Sequence, residues 1–174
     1  MNKTGLLLAA CLALASQSAL AQDFARPGPY AALNGVTAIE TIDGDGTTEV
    51  ATGVGARLGY RLSPQIAVEG LVDWSGDFAN GPFDLTSTTI TGNLKYYFAQ
   101  EQLQPYLVAG IGTQIADTNL SSSEAAFAAR VGGGIDYYLS ERLGLLGEVA
   151  YTIPTGDLDG LDYVSVGWGV FYRF

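Results

Sequence analysis

The 174-residue chain contains no histidine. That removes the commonest general base, the commonest metal ligand and the usual partner of a nucleophilic serine or cysteine. The single cysteine, Cys11, lies in an apolar stretch near the N-terminus, so a chain cleaved beyond it has no disulfide and no thiolate. Charged residues are scarce at 15% and unbalanced, with 18 Asp and Glu against 8 Lys and Arg for a formal charge of −10. Nucleic acid is not an expected partner, because phosphate binding needs clustered cations. Beyond the N-terminal stretch, no run approaches the roughly 18 to 20 apolar residues of a membrane helix.

Lys3 precedes an apolar run over 5–15, and a polar stretch then ends in Ala19-Leu20-Ala21. This is the pattern of a secretory signal peptide with an A-x-A cleavage site, assigned to residues 1–21. Leu8-Ala9-Ala10-Cys11 resembles the lipobox of a bacterial lipoprotein. The apolar run before Cys11 is short and continues beyond it, so Cys11 reads as signal-peptide filler. Residues 22–174 then form one domain by the usual length prior.

What remains is rich in glycine (23) and tyrosine (10) and repeats with period two. The last stretch, 162–174, is the clearest: Val164, Val166, Trp168, Val170, Tyr172 and Phe174 alternate with Ser165, Gly167, Gly169, Phe171 and Arg173. Such alternation predicts a strand with one greasy face. The same pattern recurs over 49–62, where Val54, Ala56, Leu58 and Tyr60 oppose Gly53, Gly55, Arg57, Gly59 and Arg61. It recurs again where Ile66, Val68, Val72 and Trp74 oppose Glu69 and Asp73, and where Ile90, Leu94, Tyr96 and Phe98 oppose Asn93, Lys95 and Tyr97. Further strands are expected over 105–115, from Phe127 to Tyr137, and from Leu143 to Thr152. With a first strand over 30–39, whose faces are the least distinct, the count is eight. Strands this long suit tilted spans of a membrane barrel better than a soluble sandwich.

The connections alternate in length. Those at 63–65, 99–104 and 140–142 are tight, whereas 40–48, 76–85, 117–124 and 154–161 are longer and polar. Short turns on one rim and long loops on the other are the asymmetry of an outer-membrane barrel, with the turns and both termini periplasmic and the loops extracellular. A hairpin centred on Pro64 places Glu69 opposite Gly59 and diagonal to Arg57 and Arg61. A soluble eight-stranded barrel shares the period, but three features turn the greasy face outward. Glycines concentrate on the charged face, which suits a crowded lumen. Tyr60, Tyr96, Phe98 and Tyr137 fall near the turn rim, and Trp74 and Tyr151 near the loop rim, as an aromatic girdle does. Most of the remaining charge lies in the loops.

These segments resemble the small outer-membrane β-barrels typified by the OmpA transmembrane domain and by OmpX. The likeness rests on Gly55-Ala56-Arg57-Leu58-Gly59-Tyr60, Asn93-Leu94-Lys95-Tyr96-Tyr97-Phe98, Pro105-Tyr106 with Gly110 and Gly112, Gly132-Gly133-Gly134-Ile135-Asp136-Tyr137, and Tyr172-Arg173-Phe174. It implies an all-β, eight-stranded, antiparallel up-and-down transmembrane β-barrel, in the outer membrane of a Gram-negative bacterium and in contact with its lipid and lipopolysaccharide. It also implies that Trp168, Val170, Tyr172 and Phe174 serve as the C-terminal signal read by the barrel-assembly machinery. Unlike OmpA, the chain lacks a periplasmic peptidoglycan-binding domain, so cell-wall tethering is not expected.

By strand face, the lumen would hold Arg57, Arg61, Lys95, Arg130 and Arg173 against Glu69, Asp73, Asp136 and Glu148. Five cations facing four anions would nearly neutralise one another, either as a polar plug of salt bridges or as the lining of a narrow pore for ions or small solutes. An eight-stranded barrel is only wide enough for its own side chains, which favours the plug. Some eight-stranded barrels modify lipid A, and the deacylases and acyltransferases of that kind use a histidine absent here. No catalytic, cofactor or metal residue is assigned, and Asp157 and Asp159 read as solvated loop charge. The loops and their flanks carry eleven acidic residues and no basic one. They could recruit divalent cations or a basic surface ligand, but an acidic rim that resists association is the simpler reading. Asp43-Gly44-Asp45-Gly46 begins like a calcium loop without the later glutamate. A closed barrel has no free sheet edge, so a monomer is expected.

Overall fold

A computed structural model describes residues 23–41, 48–78, 85–118, 121–155 and 162–174. The signal peptide assigned at 1–21 lies outside the described residues. Eight strands follow one another: β1 (Gly28–Thr41), β2 (Thr48–Arg61), β3 (Ile66–Phe78), β4 (Leu85–Tyr97), β5 (Leu103–Thr118), β6 (Ser121–Tyr138), β7 (Leu143–Pro154) and β8 (Tyr163–Arg173). Each pairs antiparallel with the next, and β8 returns to β1 to close the barrel. The closing seam runs from Tyr30 opposite Arg173 to Glu40 opposite Tyr163.

Alternation along each strand sends one set of side chains to the lumen and the other to the outer surface. The outer set is apolar: Leu58, Ile111, Val131, Trp168 and Phe174 are all exposed. The lumenal set holds the buried charges and amides together with Tyr30, Tyr97, Tyr106, Tyr138 and Tyr163. This inverts the layout of a water-soluble domain. In β1, Tyr30, Ala32, Asn34, Val36 and Ala38 point inward. Both its faces mix small apolar and polar residues, which explains why its pattern is the weakest in the sequence.

The β2–β3 hairpin pairs Gly59 with Glu69, the register expected from a turn at Pro64. One connection differs from expectation. The polar stretch 117–124 is mostly strand, because β5 continues to Thr118, β6 starts at Ser121, and Thr118 pairs with Ser121 across a register shift. No proline or glycine lies in this stretch, so nothing there breaks the ladder.

The two halves of the barrel reuse one device. Tyr30 stands opposite Gly59, which stands opposite Glu69; Tyr106 stands opposite Gly134, which stands opposite Glu148. Each tyrosine ring lies over the glycine of the next strand, where a Cβ would overlap it, and its hydroxyl donates to the glutamate one strand further on. The turns after these glycines also match: in Leu62-Ser63 and Leu139-Ser140 the serine hydroxyl accepts two backbone N–H groups of its own turn. Gly59→Ala should therefore destabilise the barrel by about 1–3 kcal/mol through overpacking, and by much less in a Tyr30→Ala background. Gly147, with nothing near a built Cβ, is the control. Equilibrium unfolding of the four variants in detergent micelles measures the coupling.

Candidate functional site

The tyrosine–glycine rows bring two carboxylates from opposite walls to one level of the lumen. Glu148 on β7 accepts Arg57 Nη1 at 2.9 Å and Arg130 Nη2 at 2.7 Å, with Lys95 Nζ at 4.0 Å. Glu69 on β3 takes Lys95 Nζ at 2.8 Å and Arg57 Nη1 at 3.4 Å. Tyr30 and Tyr106 donate to these glutamates at 2.9 and 2.8 Å, and Arg57 Nε donates to Asn34 Oδ1 at 3.1 Å. Lys95 Nζ also lies 4.5 Å from the Tyr106 ring centre, close enough for cation–π attraction. Arg57, Lys95, Glu69 and Glu148 have side chains at most 1% exposed. Charges so thoroughly withdrawn from water persist only when paired and hydrogen-bonded.

All nine charged residues assigned to the lumen are buried, yet ion pairs join only five of them among the described residues: Arg57, Glu69, Lys95, Arg130 and Glu148. The other four find partners other than a direct ion pair. Asp73 accepts the Asn34 amide at 3.3 Å, and Asp136 accepts the Tyr97 hydroxyl at 2.8 Å. Arg61 donates to Gln104, Pro64 O and, at 3.3 Å, Ser63 O, and sits 4.1 Å from the Tyr97 ring centre. Arg173 donates to Phe24 O and, at 3.2 Å, Asp23 O. The two cations near the turn rim are thus held by carbonyls rather than carboxylates, because the chain's own turns and N-terminal segment reach them.

Of the lumenal tyrosines, face-counting places Tyr97 inward and overlooks Tyr30, Tyr106, Tyr138 and Tyr163. A signal for Tyr97 and Tyr138 is present in the sequence: Tyr96-Tyr97 and Tyr137-Tyr138 are doublets, and alternation must send one of each pair inside. Tyr163, from β8, shares a 2.9 Å hydrogen bond with Thr89 on β4, the opposite wall. It therefore spans the lumen on the loop side of the charge cluster.

The girdle residues Tyr60, Trp74, Tyr96, Phe98, Tyr137 and Tyr151 all face outward, as do Trp168, Val170, Tyr172 and Phe174. Tyr96–Phe98 and Tyr172–Phe174 each make an edge-to-face pair at 5.3 Å. Trp168 packs over Gly35 of β1, where a Cβ would stand 3.0 Å from the indole, so its ring lies across the closing seam. The Asp43 and Asp45 motif and Asp84, Asp157 and Asp159 lie outside the described residues, while Asp162 accepts the Tyr151 hydroxyl.

A closed barrel with an apolar exterior and charged lumen matches a family model, the outer membrane protein beta-barrel domain, over residues 7–174. The chain belongs to that family. Its members' location in the outer membrane accounts for the inverted surface. Among solved structures, this outer-membrane barrel is similar to Neisserial surface protein A (TM-score 0.75, 17% identity, covering 84% of this chain and 97% of that one). It is also similar to Ail, the attachment invasion locus protein of Yersinia pestis (0.60, 16%, 86% and 100%). A third likeness is the N-terminal β-barrel domain of OprF from Pseudomonas aeruginosa (0.57, 16%, 86% and 100%). At these identities the likeness is one of fold. No curated protein sequence matches the chain.

Glu148→Ala strands Arg130, whose one ion pair among the described residues is with Glu148, leaves Arg57 only Glu69 and Asn34, and should cost about 3–5 kcal/mol of stability. Asp136→Asn, which breaks no ion pair, should cost clearly less. Denaturant midpoints of the refolded barrels test the order.

Proposed function

We propose that this outer-membrane barrel is non-enzymatic, with a structural or surface-interaction role, and that its lumen is a plug rather than a conduit. The observation that carries this reading is the exclusion of water from Arg57, Lys95, Glu69 and Glu148, whose side chains are at most 1% exposed. The Tyr163–Thr89 contact that spans the lumen above them supports the same reading. An ion crossing this lumen would have to part a charge cluster that is already paired and hydrogen-bonded.

In this reading the three short turns and both termini are periplasmic, and the acidic loops are extracellular. The outward faces contact lipid and lipopolysaccharide, and Tyr60, Trp74, Tyr96, Phe98, Tyr137 and Tyr151 anchor the barrel at the two interfaces. Trp168, Val170, Tyr172 and Phe174 present the final strand to the barrel-assembly machinery. The mature protein is a monomer, since closure leaves no free strand edge. Any partner meets it at the loops, where the negative charge favours divalent cations or basic surface ligands.

The deciding experiment is single-channel recording of the refolded protein in a planar bilayer. The wild type should be silent, and Glu69→Ala or Glu148→Ala, which unpair the cluster, should leak. Steady conductance in the wild type would overturn the plug and make the charge cluster the filter of a narrow pore.

A further inference from the structure

The geometry points to a cork: the N-terminal segment, residues 23–26, folds back into the turn-side mouth of the barrel and seals it. This segment belongs to no strand, yet its contacts are those of a built site. Arg173 on β8 donates one guanidinium nitrogen to Phe24 O and the other, at 3.2 Å, to Asp23 O. Gln104 on β5, fully buried, donates to Phe24 O at 3.3 Å and accepts Arg61 on its amide oxygen. The Phe24 ring packs on Tyr138 at 5.3 Å, and Tyr138 meets Phe171 edge-on at 4.9 Å. Together with Ala32 and Leu146 these rings form one apolar cluster under the segment. Ala25 is buried, its N–H bonded to Asp23 Oδ1 at 3.1 Å, and Arg26 reaches the Phe174 carbonyl at 3.4 Å.

Two features separate this arrangement from a terminus that merely rests on a surface. Arg173 is only 2% exposed and has no carboxylate within ion-pairing distance among the described residues. The carbonyls of Asp23 and Phe24 thus satisfy a buried cation that would otherwise keep only the Tyr138 hydroxyl, at 3.4 Å, and would draw water into the mouth. In addition, the latch joins parts far apart in the chain: Arg173 is the last residue of β8, and only Pro27 separates the segment from β1. It can form only once β8 has docked on β1, so the cork reports and secures barrel closure. The inference rests on the fold alone and is independent of which rim faces which compartment.

The chain from Gln22 onward has no cysteine of its own, so a single introduced thiol can read the seal. Leu146→Cys places a thiol on the wall beneath Phe24, and Ser140→Cys places one on the exposed turn. Both are refolded into micelles and treated with a charged methanethiosulfonate reagent. Leu146→Cys should react far more slowly than Ser140→Cys. Adding Phe24→Ala should raise the Leu146→Cys rate by about tenfold, the upper worth of an aromatic pair, and deleting residues 23–26 should raise it further. The Ser140→Cys rate should not change. Phe24→Ala and the deletion lie outside the strands, and unchanged circular dichroism will show that the barrel still folds. Equal Leu146→Cys rates with and without the segment, in a folded barrel, would overturn the cork.

Discussion

Every other property of this molecule depends on the closure of the backbone hydrogen-bond ladder. Hydrocarbon offers no partner to a free N–H or C=O, so a sheet that crosses the membrane must return to its own first strand. The β1–β8 seam does this over eleven residue pairs, from Tyr30 with Arg173 to Glu40 with Tyr163. Once the ring is closed, the pleat gives each side chain two destinations, lipid or lumen. Lipid excludes charge, so the polar groups of the strands collect inside a cylinder too narrow to hydrate them.

The interior solves the resulting problem in tiers. At the turn rim, arginines find backbone carbonyls and tyrosine rings. Midway, three cations share two glutamates. Towards the loops, small hydroxyl-bearing residues replace the large ones, and Tyr163 crosses to Thr89. Glycine sets the geometry of the middle tier. Gly59 and Gly134 let Tyr30 and Tyr106 lie flat over a neighbouring strand and reach a carboxylate two strands from their own. The barrel achieves this twice, once in each half, and Arg57 connects the two glutamates.

Such an interior bears directly on function. If the paired middle tier plugs the lumen as proposed, transactions with the outside use the rims. The loop rim carries the surplus acid. The turn rim is occupied by the chain's own N-terminal segment. In the proposed reading the barrel is a fixed platform, with its specificity in parts that do not contribute to the ladder.

The sequence by itself determined the architecture: the number of strands and the faces of all but the first follow from period-two alternation, which backbone geometry imposes one residue at a time, and the Gly59–Glu69 register follows from the tight turn at Pro64. It also put the nine charged residues on one face by alternation, and the glycines of that face, the aromatic rims and the charge left to the loops turned it inward. Partnership was decided only by tertiary structure. Which carboxylate meets which cation depends on the curvature of the closed ring and on the stagger between strands far apart in the chain. That is why Asp73 and Asp136, inward like Glu69 and Glu148, end beside an amide and a phenol instead of a cation. The same limit applies to the N-terminal segment, whose sequence has no period to read: its place in the mouth exists only because Arg173, nearly 150 residues later, is brought beside it when the barrel closes.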